Sequence, residues 1–317
     1  MATDRRHAYA GLNPNCPQIT SSLPFILHIM LSLSTAAMLS PDQMMVGLHE
    51  VLPHFKQIEW YERTASTNAD LLTKARTSEL RLARPWLLGS HLQDLGRGRA
   101  GRRWQNRSGA NLMFSCAFDV FLQPRQLPAL SPLAGVAACE ALRGLLHPQH
   151  RDQMVMKWPN DIQWKFSKLA GILVEVTRAS TSRLSSDHHV VIIGIGLNLN
   201  DARALSQSLN RQIADWAEIT AEDDWAAAVS TPVMAGAIAQ AWYKSLNDAI
   251  RQGFSSFPER YANVDALAGQ YINVLDNGRI ANAGIACGVN SLGQLMVRTP
   301  DGQVPVSVGD VSVRPQN

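Results

Sequence analysis

Five arginines fall between positions 97 and 107, in the stretch Gly96-Arg97-Gly98-Arg99-Ala100-Gly101-Arg102-Arg103-Trp104-Gln105-Asn106-Arg107, with no acidic residue among them. The 317-residue chain carries a formal net charge of only +3, so this segment holds more positive charge than the whole chain nets. Like charges at this density repel, and are tolerated in a solvated loop or opposite a polyanion. The interleaved glycines allow a close backbone approach and positive φ. Guanidinium planes suit phosphate and carboxylate oxygens. The simplest ligand is a nucleotide polyphosphate, with Trp104 as a stacking surface for a base. Gly96, Gly98 and Gly101 also spell G-x-G-x-x-G, but a dinucleotide fingerprint needs an apolar helix straight after it. Residues 102–109 are polar, and Asp119, at a suitable distance, sits in an apolar strand-like run.

Four further segments carry chemistry. In Lys157-Trp158-Pro159-Asn160-Asp161, the turn formers Pro159 and Asn160 suit a hairpin. The functional reading gives Asn160 a hydrogen bond to a base or phosphate, and Asp161 the task of organising a lysine or Mg²⁺. In Lys168-Leu169-Ala170-Gly171-Ile172-Leu173-Val174-Glu175-Val176, a lysine stands at the mouth of an apolar strand and Gly171 removes a side chain inside it. A strand glycine marks a bulge or a close ligand, and a lysine beside such a gap can pair a carboxylate and then an acyl phosphate. Gly194-Ile195-Gly196-Leu197-Asn198 repeats the pattern. Two thinned neighbouring strands would admit a slim apolar ligand; a barrel-like bend is the alternative. Ser66-Thr67-Asn68 reads as a helix N-cap or as hydroxyls and an amide for a polar head group, and Gln93 offers the same chemistry.

These residues need elements to position them. The pattern Met44, Met45, Leu48, Val51, Leu52 is helical over 41–55, and Thr67 to Asp70 resembles a capping box opening a helix through Ala75. Strands are expected over 86–92, 111–121, 154–158, 169–176 and 190–197, the last two apolar enough to be central. Ile162, Trp164 and Phe166 alternate as in a half-buried strand. Helices are expected over 130–146 and 225–252. From about Leu267 short strands punctuated by glycine fit a small β-barrel.

The near-neutral balance argues against a general nucleic-acid coat protein. Cys16, Cys116, Cys139 and Cys287 form no C-x-x-C, so neither a zinc site nor a redox pair is indicated, and a reducing compartment is the simple reading. Residues 23–40 contain no Asp, Glu, Lys or Arg, as in a signal peptide's apolar region. However, His28, Pro24 and several serines dilute the stretch, and no strong small-residue cleavage site follows. Met38, Met44 and Met45 are all plausible starts, and residues before about Met44 are expected to be dispensable.

Taken together, Ser66-Thr67-Asn68, Gln93 with GRGRAGRRW from Gly96, GANL from Gly109, KWPND from Lys157, KLAGILVEV from Lys168 and GIGLNLN from Gly194 resemble the biotin protein ligases. Order and spacing agree over about residues 60–200, and the glycine-punctuated tail ending Val308-Gly309-Asp310-Val311-Ser312-Val313-Arg314 looks like that family's SH3-like C-terminal domain. The resemblance implies an α+β fold, a class II aminoacyl-tRNA synthetase-like mixed sheet with helices, followed by a small SH3-like β-barrel. It divides the chain into an N-terminal extension (1–45), a biotin- and ATP-binding catalytic domain (46–266) and the C-terminal domain (267–317). It implies two steps, formation of biotinyl-5′-AMP from biotin and MgATP and then transfer of biotin to a lysine of a biotin carboxyl carrier protein.

By matched position, Ser66, Thr67, Asn68 and Gln93 would bind the ureido end of biotin. Arg97, Gly98 and Arg99 would fold over biotin and the phosphates, with Arg102 on the nucleotide and Trp104 over the adenine. Asn160 would bind the adenylate. Lys168 would contact the biotin carboxylate and the charge developing at phosphorus, with Arg99 as its catalytic partner. Gly171 and Gly196 would line the slot for the biotin rings and tail. No Mg²⁺ ligands are assigned. Ala100 departs from the family, many of whose members carry another arginine there, which would loosen the loop. Only one helical pattern precedes Ile58, so the chain resembles ligase-only members, and no DNA or membrane partner is expected. The expected location is the cytoplasm, and the expected state a monomer or homodimer. A lipoate ligase shares the fold and the adenylation chemistry, but the glycine and arginine pattern favours biotin. A nucleic-acid-binding regulator leaves Lys168 and the thinned strands without a purpose.

Overall fold

The computed structural model describes residues 38–77, 84–178, 187–276, 278–309 and 311–315. Helix α1 (Pro41–Val51) is opened by Ser40: the Gln43 amide donates to the Ser40 hydroxyl, and the Ser40 amide to the Gln43 side chain. This reciprocal cap, with Pro41 in the first turn, fixes the helix start. Met44, Leu48 and Leu52 follow at four-residue spacing and are fully buried. The division expected after residue 45 falls inside this helix, and a chain begun at Met44 would lack its cap and first turn.

Among the described residues, strands β1 (Gln57–Thr64), β2 (Trp86–Gln93), β3 (Asn111–Phe121), β4 (Met154–Lys157), β5 (Asp161–Trp164), β6 (Ser167–Arg178) and β7 (His188–Asn198) form one sheet in the order β1-β2-β3-β7-β6-β5-β4. The β1–β2 pair is parallel and the other neighbours are antiparallel. β7, expected to be central, is the middle strand and is buried along its whole length. The helices after α1 are α2 (Thr67–Thr77), α3 (Leu130–Gly144), α4 (Ala202–Leu209), α5 (Trp216–Thr220), α6 (Asp224–Ala227), α7 (Thr231–Gln252) and α8 (Phe257–Ala262).

Strand alternation gives the sheet two different faces. On one, Phe114, Cys116 and Phe118 of β3 and Val191, Ile193 and Ile195 of β7 join α1, α3 and α7 in the main core. On the other, Leu71, Leu72 and Ala75 of α2 cover Ala117, Val190 and Ile192. The next residues of the same parity are Ser115, Gly194 and Gly196. There the apolar cover of α2 ends, and the floor is roofed instead by Asn68 and by Trp104 of the arginine loop.

The C-terminal strands β8 (Tyr271–Asp276), β9 (Arg279–Val289), β10 (Leu295–Thr299), β11 (Gly302–Val306) and β12 (Val311–Pro315) form the expected small SH3-like domain, an antiparallel sheet in the order β11-β10-β9-β8-β12. Its β9–β10 turn rests on the start of α3. Gly293 has φ +72° there, and a Cβ would lie 2.7 Å from the Ala129 Cα, so only glycine fits. The Gly293 carbonyl accepts from the Trp158 indole at 3.0 Å.

Three local expectations differ from the structure. The helix over 225–252 is two, α6 and α7, with the break before Pro232 in the first turn of α7. Phe166 does not continue the alternation of Ile162 and Trp164. It is 62% exposed and, with Lys165, forms a left-handed two-residue turn (φ 47° and 64°) of the kind that joins tight hairpins. Finally, Ser66 rather than Thr67 caps α2, its hydroxyl accepting from the Ala69 amide at 3.5 Å; Asp70 instead accepts from the Thr64 hydroxyl at 2.5 Å.

Replacement of Ser40 by alanine removes one half of the α1 cap. It is expected to lower unfolding free energy by about 1 kcal/mol, measured by denaturant titration of the full chain. Unchanged stability would show that Pro41 and Met44 hold the helix start without the cap.

Candidate functional site

The floor beyond the apolar cover of α2 is laid out by register. In one row Met113, Gly196, Gly171 and Asp161 are neighbours across β3, β7, β6 and β5. In the next are Ser115, Gly194 and Leu173, and in the third Ala117, Ile192 and Glu175. Successive rows lie two residues apart, roughly 7 Å. A cavity of about 400 Å³ opens over the floor. Every residue expected at the site lines it: Ser66, Thr67, Asn68, Gln93, Arg97, Gly98, Arg99, Arg102, Trp104, Asn160, Lys168, Gly171 and Gly196. They converge from the start of α2, the end of β2, the arginine loop, the β4–β5 turn and the opening residues of β6.

The end beneath α2 is polar. The Thr67 amide donates to Gln93 Oε1 at 2.9 Å, and the Thr67 and Ser115 hydroxyls lie 2.6 Å apart. The Ser115 hydroxyl donates to Asn68 Oδ1 at 2.6 Å, and Asn68 Nδ2 donates to Glu175 Oε2 at 2.8 Å. Asn68 lies directly over Gly194, where a Cβ would collide with its amide. Ser66 both caps α2 and lines the cavity, while Thr67 and Asn68 face the floor.

The arginine loop is a small hairpin. The Trp104 amide donates to the Gly96 carbonyl and the Gly98 amide to the Arg102 carbonyl, at 2.9 and 2.7 Å. Ala100 and Gly101 form its tip with φ 53° and 67°. From it Arg97 reaches Glu175 (3.4 Å), and Arg99 reaches Asn160 Oδ1 (3.2 Å) and the Gly309 carbonyl of the C-terminal domain. The Trp104 indole lies on the glycine track itself, 3.3 Å from where a Gly171 Cβ would stand and in the space a Gly196 Cβ would take. The surfaces expected separately for base and slim ligand therefore meet in one place.

The opposite end is cationic. Asn160 is bolted down at both ends: its carbonyl accepts from the Ile172 amide at 2.9 Å, and its Nδ2 donates to the Ile172 carbonyl at 2.7 Å. This leaves Oδ1 for Arg99. Lys168 Nζ pairs with Asp161 Oδ1 at 2.5 Å, and its side chain is 15% exposed. Burial pushes the Lys168 ammonium below the usual lysine range, against the pull of Asp161, and the Arg211 and Arg102 charges add to the depression. Burial likewise lowers Lys157, again opposed by Asp161. One carboxylate thus serves two buried amines.

Three residues of the site escaped the sequence. Ser115 sits inside an apolar strand, and only its pairing with Gly194 reveals it. Glu175 stands in the same apolar run as Gly171, two steps of two beyond it; parity puts it on the same face, but it stands behind the cavity lining and only its bond from Asn68 ties it to the site. Arg211 lines the cavity from the segment after α4, which pairs with Lys168 through Ile213; nothing local signals it. No group of three or more His, Cys, Asp or Glu side chains stands together among the described residues. No helix among them is long and apolar enough to cross a membrane. Cys116 and Cys139 are buried free thiols and Cys287 is an exposed one; Cys16 lies outside the described residues.

Residues 60–198 match the Biotin/lipoate A/B protein ligase family, and residues 268–314 match the Biotin protein ligase C terminal domain. The bifunctional ligase/repressor BirA of Salmonella typhimurium is 28% identical over 249 residues, 78% of this chain and 72% of that protein. The biotin–[acetyl-CoA-carboxylase] ligase of Mycobacterium tuberculosis is 34% identical over 149 residues, 47% of this chain and 51% of that protein, so the match spans about half the relative's length. The fold is shared with the biotin protein ligase of Aquifex aeolicus, solved with biotin and ATP (TM-score 0.63, 24% identity, 83% of this chain and 100% of that chain).

The Asp161 carboxylate opposes the burial that lowers Lys168, so replacing it by asparagine should lower the Lys168 pKa further. NMR titration of the Lys168 Cε and Nζ signals in wild type and Asp161→Asn measures this. An unmoved or raised titration would show that Asp161 does not hold the lysine charged.

Proposed function

Because the chain belongs to the biotin protein ligase family, we propose that this cavity activates biotin with ATP and passes it to a lysine of a biotin carboxyl carrier protein. The observation that carries this reading is the layout of the floor. A side-chain-free track lies between a polar end, suited to a ureido ring, and a cationic end, suited to a carboxylate meeting a triphosphate. In the first step a biotin carboxylate oxygen attacks the α-phosphorus of ATP, the bond to the β-phosphate oxygen breaks, and pyrophosphate leaves. In the second, the carrier lysine attacks the acyl carbon of biotinyl-5′-AMP, an amide forms, and AMP leaves with the shared electron pair.

The residue roles follow the same reading. Ser66, Thr67, Asn68 and Gln93 hold the ureido end, and Gly171 and Gly196 leave room for the rings and tail. Arg97, Gly98, Arg99 and Arg102 close over the phosphates. Asn160, rigid through Ile172, takes the adenylate, and Trp104 leaves the glycine track to cover the base. Lys168 supplies positive charge between two anions that otherwise repel, where preorganised charge is most effective. Mg²⁺ would accompany the nucleotide and offset the charge of its phosphates; no residue is assigned to hold it, because Asp161, the carboxylate among the lining residues, is paired with Lys168. We take 267–317 as the SH3-like domain and the residues before it from the Ser40 cap of α1 as the catalytic domain, because Met44 already belongs to its core. The free thiols suit the cytoplasm, and the protein would work there as a monomer or homodimer.

Incubation with α-labelled ATP and either biotin or lipoate names the substrate by the adenylate formed; a lipoyl adenylate alone would overturn the biotin reading. In single-turnover assays Lys168→Gln should slow adenylation by the equivalent of about 2.7–4 kcal/mol. It should weaken nucleotide binding far less, and slow aminolysis of preformed biotinyl-AMP less. Adenylation at the wild-type rate would make Lys168 a bystander.

A further inference from the structure

Glu175 is given no part in the steps of adenylation or transfer, yet it stands just behind the polar end of the cavity, hydrogen-bonded to the lining residue Asn68. It shares a face of β6 with Gly171 and Leu173, in the row of Ala117 and Ile192. Its side chain is 25% exposed and bridges two elements that are far apart in sequence. Oε2 accepts from Asn68 Nδ2 at 2.8 Å, and Oε1 faces Arg97 Nη2 at 3.4 Å. We propose that Glu175 is a positioning residue for biotin activation. It sets the donor–acceptor direction of the network that meets the ureido ring, and it latches the arginine loop to the floor through Arg97. The first half rests on the biotin reading; the second does not.

Valence sets the direction of the network. An ionised carboxylate only accepts hydrogen bonds. Asn68 must therefore turn its NH₂ to Glu175, where the Leu173 carbonyl offers a second, longer contact at 3.4 Å. Asn68 Oδ1 then faces Ser115, whose single hydroxyl proton is committed to it at 2.6 Å. The Ser115 oxygen is left to accept from Thr67, also at 2.6 Å. One charge at the end of the chain thus orders hydrogen bonds across α2 and β3. Without it the Asn68 amide is free to turn over, because its oxygen and nitrogen are nearly the same size. The vacant side chain at Gly194 gives that amide its place.

Location makes the latch. Arg97 lies on one arm of the loop hairpin and Glu175 on the floor beneath the polar end. The loop is tethered at the cationic end by Arg99 on Asn160, and at the polar end by Arg97 on Glu175. A half-exposed ion pair adds little to global stability. It can still govern how often a short hairpin lifts, because only that local opening breaks it.

The test uses the full chain with Glu175→Gln, Arg97→Gln and the double variant. Biotin affinity is measured calorimetrically, biotinyl-adenylate release by chase, and loop opening by limited proteolysis at residues 97–107 without ligand. Glu175→Gln is expected to weaken biotin binding and to speed adenylate release, each about tenfold, the scale of one charge-assisted hydrogen bond. It should raise the KM for biotin far more than it lowers kcat. Each single variant should hasten loop cleavage by a similar factor, and the double variant should be no faster than the singles. Wild-type biotin affinity in Glu175→Gln overturns the network half. Cleavage of Glu175→Gln at the wild-type rate, or fully additive effects in the double variant, overturns the latch. If the wild-type chain makes no biotinyl-AMP, the biotin reading and the network half fail together, while the ligand-free proteolysis still decides the latch. Should Glu175→Gln fold poorly, Arg97→Gln breaks the same pair from the loop side.

Discussion

The register of β7 between β3 and β6 is the constraint on which the rest depends. Residues of one parity, Val191, Ile193, Ile195 and Leu197, belong to the main core, and those of the other, Gly194 and Gly196, make the floor of the site. A slip of one residue exchanges the two sets. It would place glycines against α3 and α7 and isoleucines where the ligand must lie, losing core and cavity together. Selection for a packed core is therefore also selection for an open site. The middle of the sheet is the best place for this coupling, because β7 is paired along its length on both sides.

Charge is arranged by the same economy. The cavity gathers arginines and lysines faster than carboxylates, and the few acids present are shared. Asp161 faces Lys168 directly and influences Lys157 as well. Glu175 serves an amide and a guanidinium, and Asp201 holds Arg107 at the edge of the loop. Lys168 is depressed chiefly by burial, and the nearby Arg211 and Arg102 charges add to it. An anion placed there would oppose both contributions, as Asp161 already does, so the field favours an anionic ligand.

Much of this was legible in the sequence because single residues carry strong local rules. Glycines inside apolar strands weaken the sheet unless a ligand or a neighbouring group needs the space. A lysine at a strand mouth and arginines alternating with glycine are similarly distinctive, and all of these fall on the cavity. Six of the seven strands of the central sheet were placed to within a few residues because their apolar runs have clear ends, while β1, whose second half is polar and exposed, was not anticipated. What escaped was relational. Ser115 is informative only opposite Gly194, Glu175 only beneath Asn68, and Arg211 only once the chain after α4 returns to Lys168. Phe166 misled because an aromatic in a left-handed turn defies local propensity. The break before α7 was missed because the apolar pattern runs through it.

The position of Trp104 bears on the heat of ligand binding. Its indole already shields the two glycines of the track from water, so a ligand entering there exchanges one apolar neighbour for another over part of its surface. The heat-capacity change that normally accompanies burial of an apolar molecule is then set by where the displaced indole goes. If the ring finds a new apolar face on the nucleotide, the two burials add. If it turns to solvent, they largely cancel. On the proposed reading, biotin alone and biotin with nucleotide would have different calorimetric signatures, with the tryptophan as the moving part.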